Sequence, residues 1–246
     1  MDSEPTLRTS LTGRAALVLF SGGQDSTTVL AWAMSQYDRV ETVGFHYGQK
    51  HSIEMEGRPI IRKLLQDTFS DWRNRLGPDH LVKVDLVGQI AKGVVPFRHD
   101  AANVHPFSGT RYIPGRNLIM LSMSASIAFR RRIMTLACGT SETEYSGYPD
   151  CRRQTMNSVE LAINASSGLS FQIECPLMDL DKAGVWRLAQ TLGGDKLVEI
   201  IRKETHTCYE GSRSELHEWG YGCSDCDACR LRKKGWCEFA CSPDPI

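Results

Sequence analysis

The sequence predicts an α/β fold: a Rossmann-like parallel sheet with helices on both faces, followed by a small C-terminal zinc-binding segment. Three observations predict it. Apolar β-type runs alternate with helix-period segments along most of the chain, which is the pattern of βαβ units. The first run ends in a glycine turn that opens a helix. Six of the nine cysteines crowd into the C-terminal end.

Taken in order, Ala15–Phe20 reads as the first strand and Asp25–Gln36 as the first helix, with Ser26 and Thr27 able to cap it. Val40–His46 reads as a second strand. Ser52–Phe69 reads as an amphipathic helix that Pro59 kinks or splits. His80–Leu86 alternates as a third strand, Asn117–Phe129 is a buried helix, and Ile133–Cys138 is a fourth strand. Arg152–Asn164 is helical, Phe171–Cys175 is a strand stopped by Pro176, and Asp181–Leu192 is a helix with an acid at its start. Domain organisation follows: an α/β domain over 14–200, with a segment over 201–246 packed on it. Ligands on such sheets bind at the carboxyl ends of strands. That places Ser21–Ser26 and the segments after His46 and Cys138 together.

Composition narrows the function. Of 246 residues, 41% are hydrophobic and 24% charged, and Lys+Arg and Asp+Glu are both 29. A zero net charge argues against a chain-wide nucleic-acid footprint. The basic clusters Arg130–Arg132, Arg152-Arg153 and Arg230–Lys234 read as solvated helix ends. No apolar run approaches the roughly 18 residues of a membrane span, and the N-terminus is polar, so a cytoplasmic location is expected.

The loop Ser21-Gly22-Gly23-Gln24-Asp25-Ser26 carries the chemistry. Strand, glycine turn and helix N-terminus aim orphan amides and a helix dipole at one spot, an anion site. It lacks the lysine of a Walker A loop and the three spaced glycines of the dinucleotide fingerprint. Ser-Gly-Gly-x-Asp-Ser instead resembles the pyrophosphate loop of the ATP pyrophosphatases.

Cys223-Ser-Asp-Cys226-Asp-Ala-Cys229 offers three thiolates at metal-ligand spacing, with Cys208 fifteen residues upstream of the first. Four sulfurs would satisfy tetrahedral Zn²⁺ and leave no open position, as in structural sites. Iron–sulfur ligation shares the C-x-x-C-x-x-C spacing but usually adds a cysteine followed by proline, which is missing here. Cys237, Cys241, His206 and His217 are alternatives to Cys208 as the fourth ligand.

Together these residues resemble the QueC-type enzymes of queuosine and deazapurine biosynthesis, within the adenine nucleotide alpha hydrolase-like fold. The resemblance rests on Phe20–Thr28, Tyr47-Gly-Gln-Lys-His51, Ile113-Pro-Gly-Arg-Asn117, Glu144–Arg152, Cys208-Tyr209, and the Cys223/Cys226/Cys229 cluster followed by Leu231-Arg232. Lys50, Glu144 and Ser224 stand where the family commonly has Arg, Asp and Gly, and Glu210–Tyr221 is longer than usual. The resemblance favours Cys208 as the fourth zinc ligand. It implies ATP with Mg²⁺, a carboxy-deazaguanine acid and ammonia as substrates, no obligate nucleic acid, and a homodimer.

It also implies roles. Phe20, Ser21, Gly22, Gly23, Gln24, Asp25, Ser26, Thr27 and Thr28 form the ATP site. Asp25, Ser26, Lys50 and Arg116 serve catalysis, the two cations by neutralising phosphate or carboxylate. Tyr145, Tyr148, Asp150 and Arg152 line the deazapurine pocket, where a tyrosine stacks on the base and Asp150 pairs with its N–H groups; Cys151 is packing. Two competing readings are a tRNA-thiolating or deazaguanine-attaching relative and a non-catalytic zinc-and-nucleotide module. Thiolation calls for a reactive cysteine beside the loop or an iron–sulfur cluster; it usually also calls for an RNA-binding domain and a more basic surface, and neither of these two is evident.

Overall fold

The computed structural model describes residues 13–49, 52–86, 113, 115–143 and 148–241. Its centre is a five-stranded sheet of order β3-β2-β1-β4-β5, built from β1 (Ala15–Leu19), β2 (Arg39–His46), β3 (Leu76–Lys83), β4 (Thr135–Ala137) and β5 (Gln172–Glu174). Every neighbouring pair is parallel. Alternation along β1 sorts the two faces. Ala16, Val18 and Phe20 face a core that contains Val29, Ile61, Leu65 and Trp186. Leu17 faces a second core with Leu121, Ala125, Met156 and Val159. The first core belongs to helices α1 (Gln24–Gln36), α2 (Ile53–Thr68) and α6 (Lys182–Glu204), with the short α3 (Ser70–Arg73) beside α2. The second belongs to α4 (Arg116–Arg130) and α5 (Arg153–Ser167). The doubly wound class expected from the sequence is therefore what the chain forms.

Several boundaries differ for physical reasons. β3 begins before Gly77-Pro78, because it is the edge strand, where a proline costs no ladder bond. α2 runs on through Pro59. Pro59 is exposed while Met55, Arg58, Ile61 and Leu65 on the inner face are buried, so packing outweighs the lost bond. α6 begins as expected, with the Asp181 carboxylate accepting the Gly184 N–H at 2.7 Å. It resumes beyond a break at Gly194 (φ 62°, ψ −161°) instead of ending near Leu192. Two basic clusters are not purely solvated ends. Arg131 grips the fully buried Glu41 through Nε and Nη2, and Arg232 is itself fully buried.

The C-terminal part packs on α6. A two-stranded hairpin, β6 (Leu216–His217) and β7 (Gly220–Tyr221), precedes α7 (Asp227–Ala240). Trp186 of α6 is fully buried and meets Trp236 of α7 edge-on at 5.0 Å between ring centroids. Truncating a tryptophan so placed typically costs about 3–5 kcal/mol. α7 approaches at Gly235, where a Cβ would lie 2.4 Å from the Lys182 Cβ and 2.8 Å from its carbonyl carbon. On an open helix, Gly→Ala stabilises by about 1 kcal/mol. Gly235→Ala is expected to do the opposite and lower stability by about 1–3 kcal/mol, because backbone cannot swing aside. Urea unfolding measures the sign; a gain would show that α7 does not rest on α6 at this point.

Candidate active site and metal centre

The strand order reverses between β2-β1 and β1-β4, so the crevice beyond β1 and β4 is the topological switch point. The loop leaving β1 fills one wall. The amides of Ser21 and Gly22 both donate to Ser26 Oγ at 3.2 Å, and the Gly23 amide donates to Ser21 Oγ at 3.2 Å. Three successive N–H groups thus turn to one side, a nest suited to phosphate oxygens. This corrects the capping role expected of Ser26. The helix starts a residue earlier with Gly23 as its N-cap, and Ser26 Oγ reaches back to the loop while Thr27 Oγ1 donates to the Gly23 carbonyl at 2.8 Å. Thr28 bonds the Gln24 carbonyl, Gln24 is buried, and the Phe20 ring lies in the core under the Arg58 guanidinium. Gly22 has φ +95°, and a Cβ there would come within 2.3 Å of the Glu54 carbonyl oxygen. Only glycine meets both demands.

The exit of β4 closes the other wall. A Cβ on Gly139 would lie 3.2 Å from Asp25, so that strand end abuts the first turn of α1. Asp25 is not a helix cap. Both its carboxylate oxygens accept from Lys182 Nζ, at 2.7 and 2.6 Å, and Lys182 is only 5% exposed.

Glu54 is the second residue of α2, just after the Tyr47–His51 run. Its carboxylate lies 3.6 Å from where a Gly23 Cβ would sit. Burial, and then the charge of Asp25, push its pKa up to about 7. Arg116, the first residue of α4, counters that shift by its charge and lies over the Tyr47 ring at 5.6 Å. Lys182 and Glu54 were not foreseen. The first is 157 residues from its partner, and the second had only its place after a recognised run as a signal.

Asp150, expected to line the substrate pocket, is buried in a 3₁₀ turn over Pro149–Cys151. One carboxylate oxygen accepts the Asn117 amide at 3.2 Å, while Asn117 Nδ2 donates to the Asp150 carbonyl and to Cys151 Sγ. Asp150 therefore joins the start of α4, and with it Arg116, to the turn. Tyr148 is half-buried beside it, and Arg152 is exposed ahead of α5. Lys50, Glu144 and Tyr145 lie outside the described residues.

The sulfurs of Cys208, Cys223, Cys226 and Cys229 all lie within 4.8 Å of one another. A tetrahedral metal with bonds of about 2.3 Å to sulfur fits that spacing. The amides of Cys226 and Asp225 hold the Cys223 thiol down at about 6, while burial raises the thiols of Cys226 and Cys229. Cys237 and Cys241 are exposed on and after α7, away from the cluster. Below the cluster, Arg232 donates to the carbonyls of Trp219 and Ile201 and to Thr207 Oγ1.

A family profile described as "Queuosine biosynthesis protein QueC" matches residues 15–240. The chain belongs to the QueC family. It is 50% identical over 225 residues to a 7-cyano-7-deazaguanine synthase of Paraburkholderia phymatum, covering 90% of this chain and 91% of that one. It is 49% identical over 221 residues to the synthase of that name from Burkholderia mallei, with the same coverage. Among solved structures, a 4-thiouridine synthetase in complex with RNA and bound ATP matches with a TM-score of 0.51 at 19% identity, over 75% of this chain and 42% of that one. That likeness establishes a shared fold.

Glu54 generates a pH-dependent prediction. A carboxyl that holds its proton more tightly folded than unfolded loses stability as pH rises from the usual 4.5 to about 7, and the loss is complete above that. Glu54→Gln removes this penalty. Allowing for partial solvent screening, it is expected to gain roughly 1–2 kcal/mol at pH 8 and almost nothing at pH 4.5. Urea unfolding at both pH values reads the difference; equal gains at the two would show that the effect is not ionisation.

Proposed function

We propose that the chain is an ATP-dependent ligase that converts 7-carboxy-7-deazaguanine and ammonia into 7-cyano-7-deazaguanine. The observation that carries the reading is the amide nest of Ser21–Gly23 at the switch point of a QueC-family fold. The names of relatives near 50% identity support 7-cyano-7-deazaguanine as the product. Making a nitrile from a carboxylate removes two oxygens, and oxide is not a leaving group. Attack of the carboxylate on the α-phosphate of ATP expels pyrophosphate and leaves an acyl-adenylate. Ammonia displaces AMP and forms the amide. A second ATP adenylates the amide oxygen, and loss of AMP leaves the nitrile. A preorganised nest for the leaving pyrophosphate serves both adenylations without reorganisation.

Within this reading, Ser21, Gly22, Gly23 and Ser26 hold the β and γ phosphates. Asp25, fixed by Lys182, faces the phosphates and their Mg²⁺. Arg116 and Lys50 neutralise phosphate or the substrate carboxylate, while Tyr145, Tyr148, Asp150 and Arg152 receive the deazapurine. Zn²⁺ in the four-cysteine site has no open position and supplies folding energy rather than chemistry. The catalytic domain is 14–200 and the zinc segment 201–246. The enzyme works as a cytoplasmic homodimer on small molecules, without obligate nucleic acid.

Incubation with ATP, Mg²⁺, ammonium and the carboxy-deazaguanine acid is expected to give amide and then nitrile, with two AMP per nitrile, by mass spectrometry. Absence of AMP would remove the reading. Asp150→Ala should raise KM for the acid about ten-fold or more, the cost of a lost charged hydrogen bond; an unchanged KM would restrict Asp150 to holding Asn117. Metal analysis should find about one zinc per chain, lost in Cys208→Ser. Iron with a visible chromophore would overturn the zinc assignment.

A further inference from the structure

Two of the cysteines outside the metal centre sit side by side. Cys138 follows β4 and Cys175 follows β5. The strands pair in register through Ala137 and Glu174, and the Cys138 amide donates to the Glu174 carbonyl at 3.0 Å. The two residues are therefore direct lateral neighbours. Their sulfurs are 3.5 Å apart, and Thr140 Oγ1 lies 3.5 Å from one and 3.4 Å from the other. Adjacent strands run about 4.7–4.9 Å apart, within the Cα separation a disulfide spans. Cys138 is buried and Cys175 partly exposed, so a small reagent reaches the pair from the Cys175 side.

We infer that Cys138 and Cys175 form a reversible disulfide, a modification site on the wall of the phosphate loop. The step balances with hydrogen peroxide as oxidant. The pair's thiolate attacks the peroxide, breaking the O–O bond and releasing water, and becomes a sulfenic acid. The second sulfur attacks it, the S–O bond breaks, and a second water leaves. Two thiols lose two electrons and the peroxide becomes two waters; a small thiol reverses the step by exchange.

The location gives the bond a consequence. Gly139, the residue after Cys138, rests on Asp25 and Ser26, where a Cβ would be 3.2–3.3 Å from their atoms. Closing the sulfurs from 3.5 Å to about 2.05 Å draws on the strand end that supports the first turn of α1. Displacements of about 1 Å near reacting groups can cost about a hundred-fold in rate. The disulfide stands independently of the proposed function; its effect on turnover rests on that function.

The test is hydrogen peroxide treatment of the full-length, zinc-loaded protein, followed by non-reducing peptide mapping. A peptide pair joined through Cys138 and Cys175, reversed by dithiothreitol and absent in Cys175→Ser and Cys138→Ala, supports the inference. If peroxide oxidises other cysteines while these two remain thiols or become separate sulfinic acids, the inference is overturned. In parallel, AMP release from ATP, ammonium and the carboxy-deazaguanine acid should fall about ten-fold or more on oxidation and return on reduction. Equal inhibition in Cys175→Ser, with zinc released to a chromogenic chelator, would assign the effect to the tail and overturn the coupling. If the reduced wild type makes no AMP, the ligase reading fails, and the disulfide is decided by the mapping alone.

Discussion

The ion pair of Asp25 with Lys182 joins the three parts of this molecule. Asp25 stands in the first turn after the phosphate loop, and Lys182 opens the helix on which the C-terminal segment is built. Lys182 is almost fully buried and gives its charge to both oxygens of one carboxylate. A buried pair of this kind adds little net stability, but losing either partner strands the other charge and typically costs about 3–5 kcal/mol. Its value lies in position. The two hydrogen bonds orient the carboxylate beside the loop and tie α6 to α1.

Lys182 is enclosed by the C-terminal segment. Gly235 of α7 presses on its Cβ and backbone. Three residues earlier, Arg232 ties α7 to carbonyls at the end of α6 and in the hairpin. Burial lowers its guanidinium to about 10, still fully charged near neutrality. The four cysteines gather Cys208, after α6, to the N-terminus of α7. A metal at this centre thereby closes a circuit from α6 through the hairpin and α7 back to Lys182. The segment has few apolar residues of its own, and Cys208, Trp219 and Cys229 are its small buried cluster, so a metal held there would add order to what packing on α6 provides.

What the sequence showed was what neighbouring residues decide together. Strand, Gly-Gly turn and helix lie within one short stretch, and the cysteine triplet within another, so fold class, loop and metal cluster were legible. Lys182 and Asp25 meet on one face of the sheet from positions 157 residues apart in the chain, and no spacing rule connects them. Arg232 sits among exposed cations at Arg230, Lys233 and Lys234, so its composition looked like a solvated end. Ser224, between the first two cysteines of the cluster, has φ +61°, a conformation that favours glycine. Here Ser224 Oγ lies 3.0 Å from His217 Nε2 instead, a contact a glycine would not have.

A phosphate loop bordered by two acids looks unsuited to a polyanion. The environment of each acid resolves this. Asp25 is matched by Lys182 at full contact, so the pair presents little net charge. Glu54 lies under burial and the field of Asp25, which raise its pKa to about 7, so at neutral pH a large share of it carries its proton. Around them stand Arg116, whose charge reaches Glu54, and the inward amides of Ser21, Gly22 and Gly23. The two acids therefore offset less of the Arg116 charge and of the amide dipoles than two free carboxylates would. The charge of an arriving nucleotide would favour the protonated form further, by the same repulsion that Asp25 already exerts.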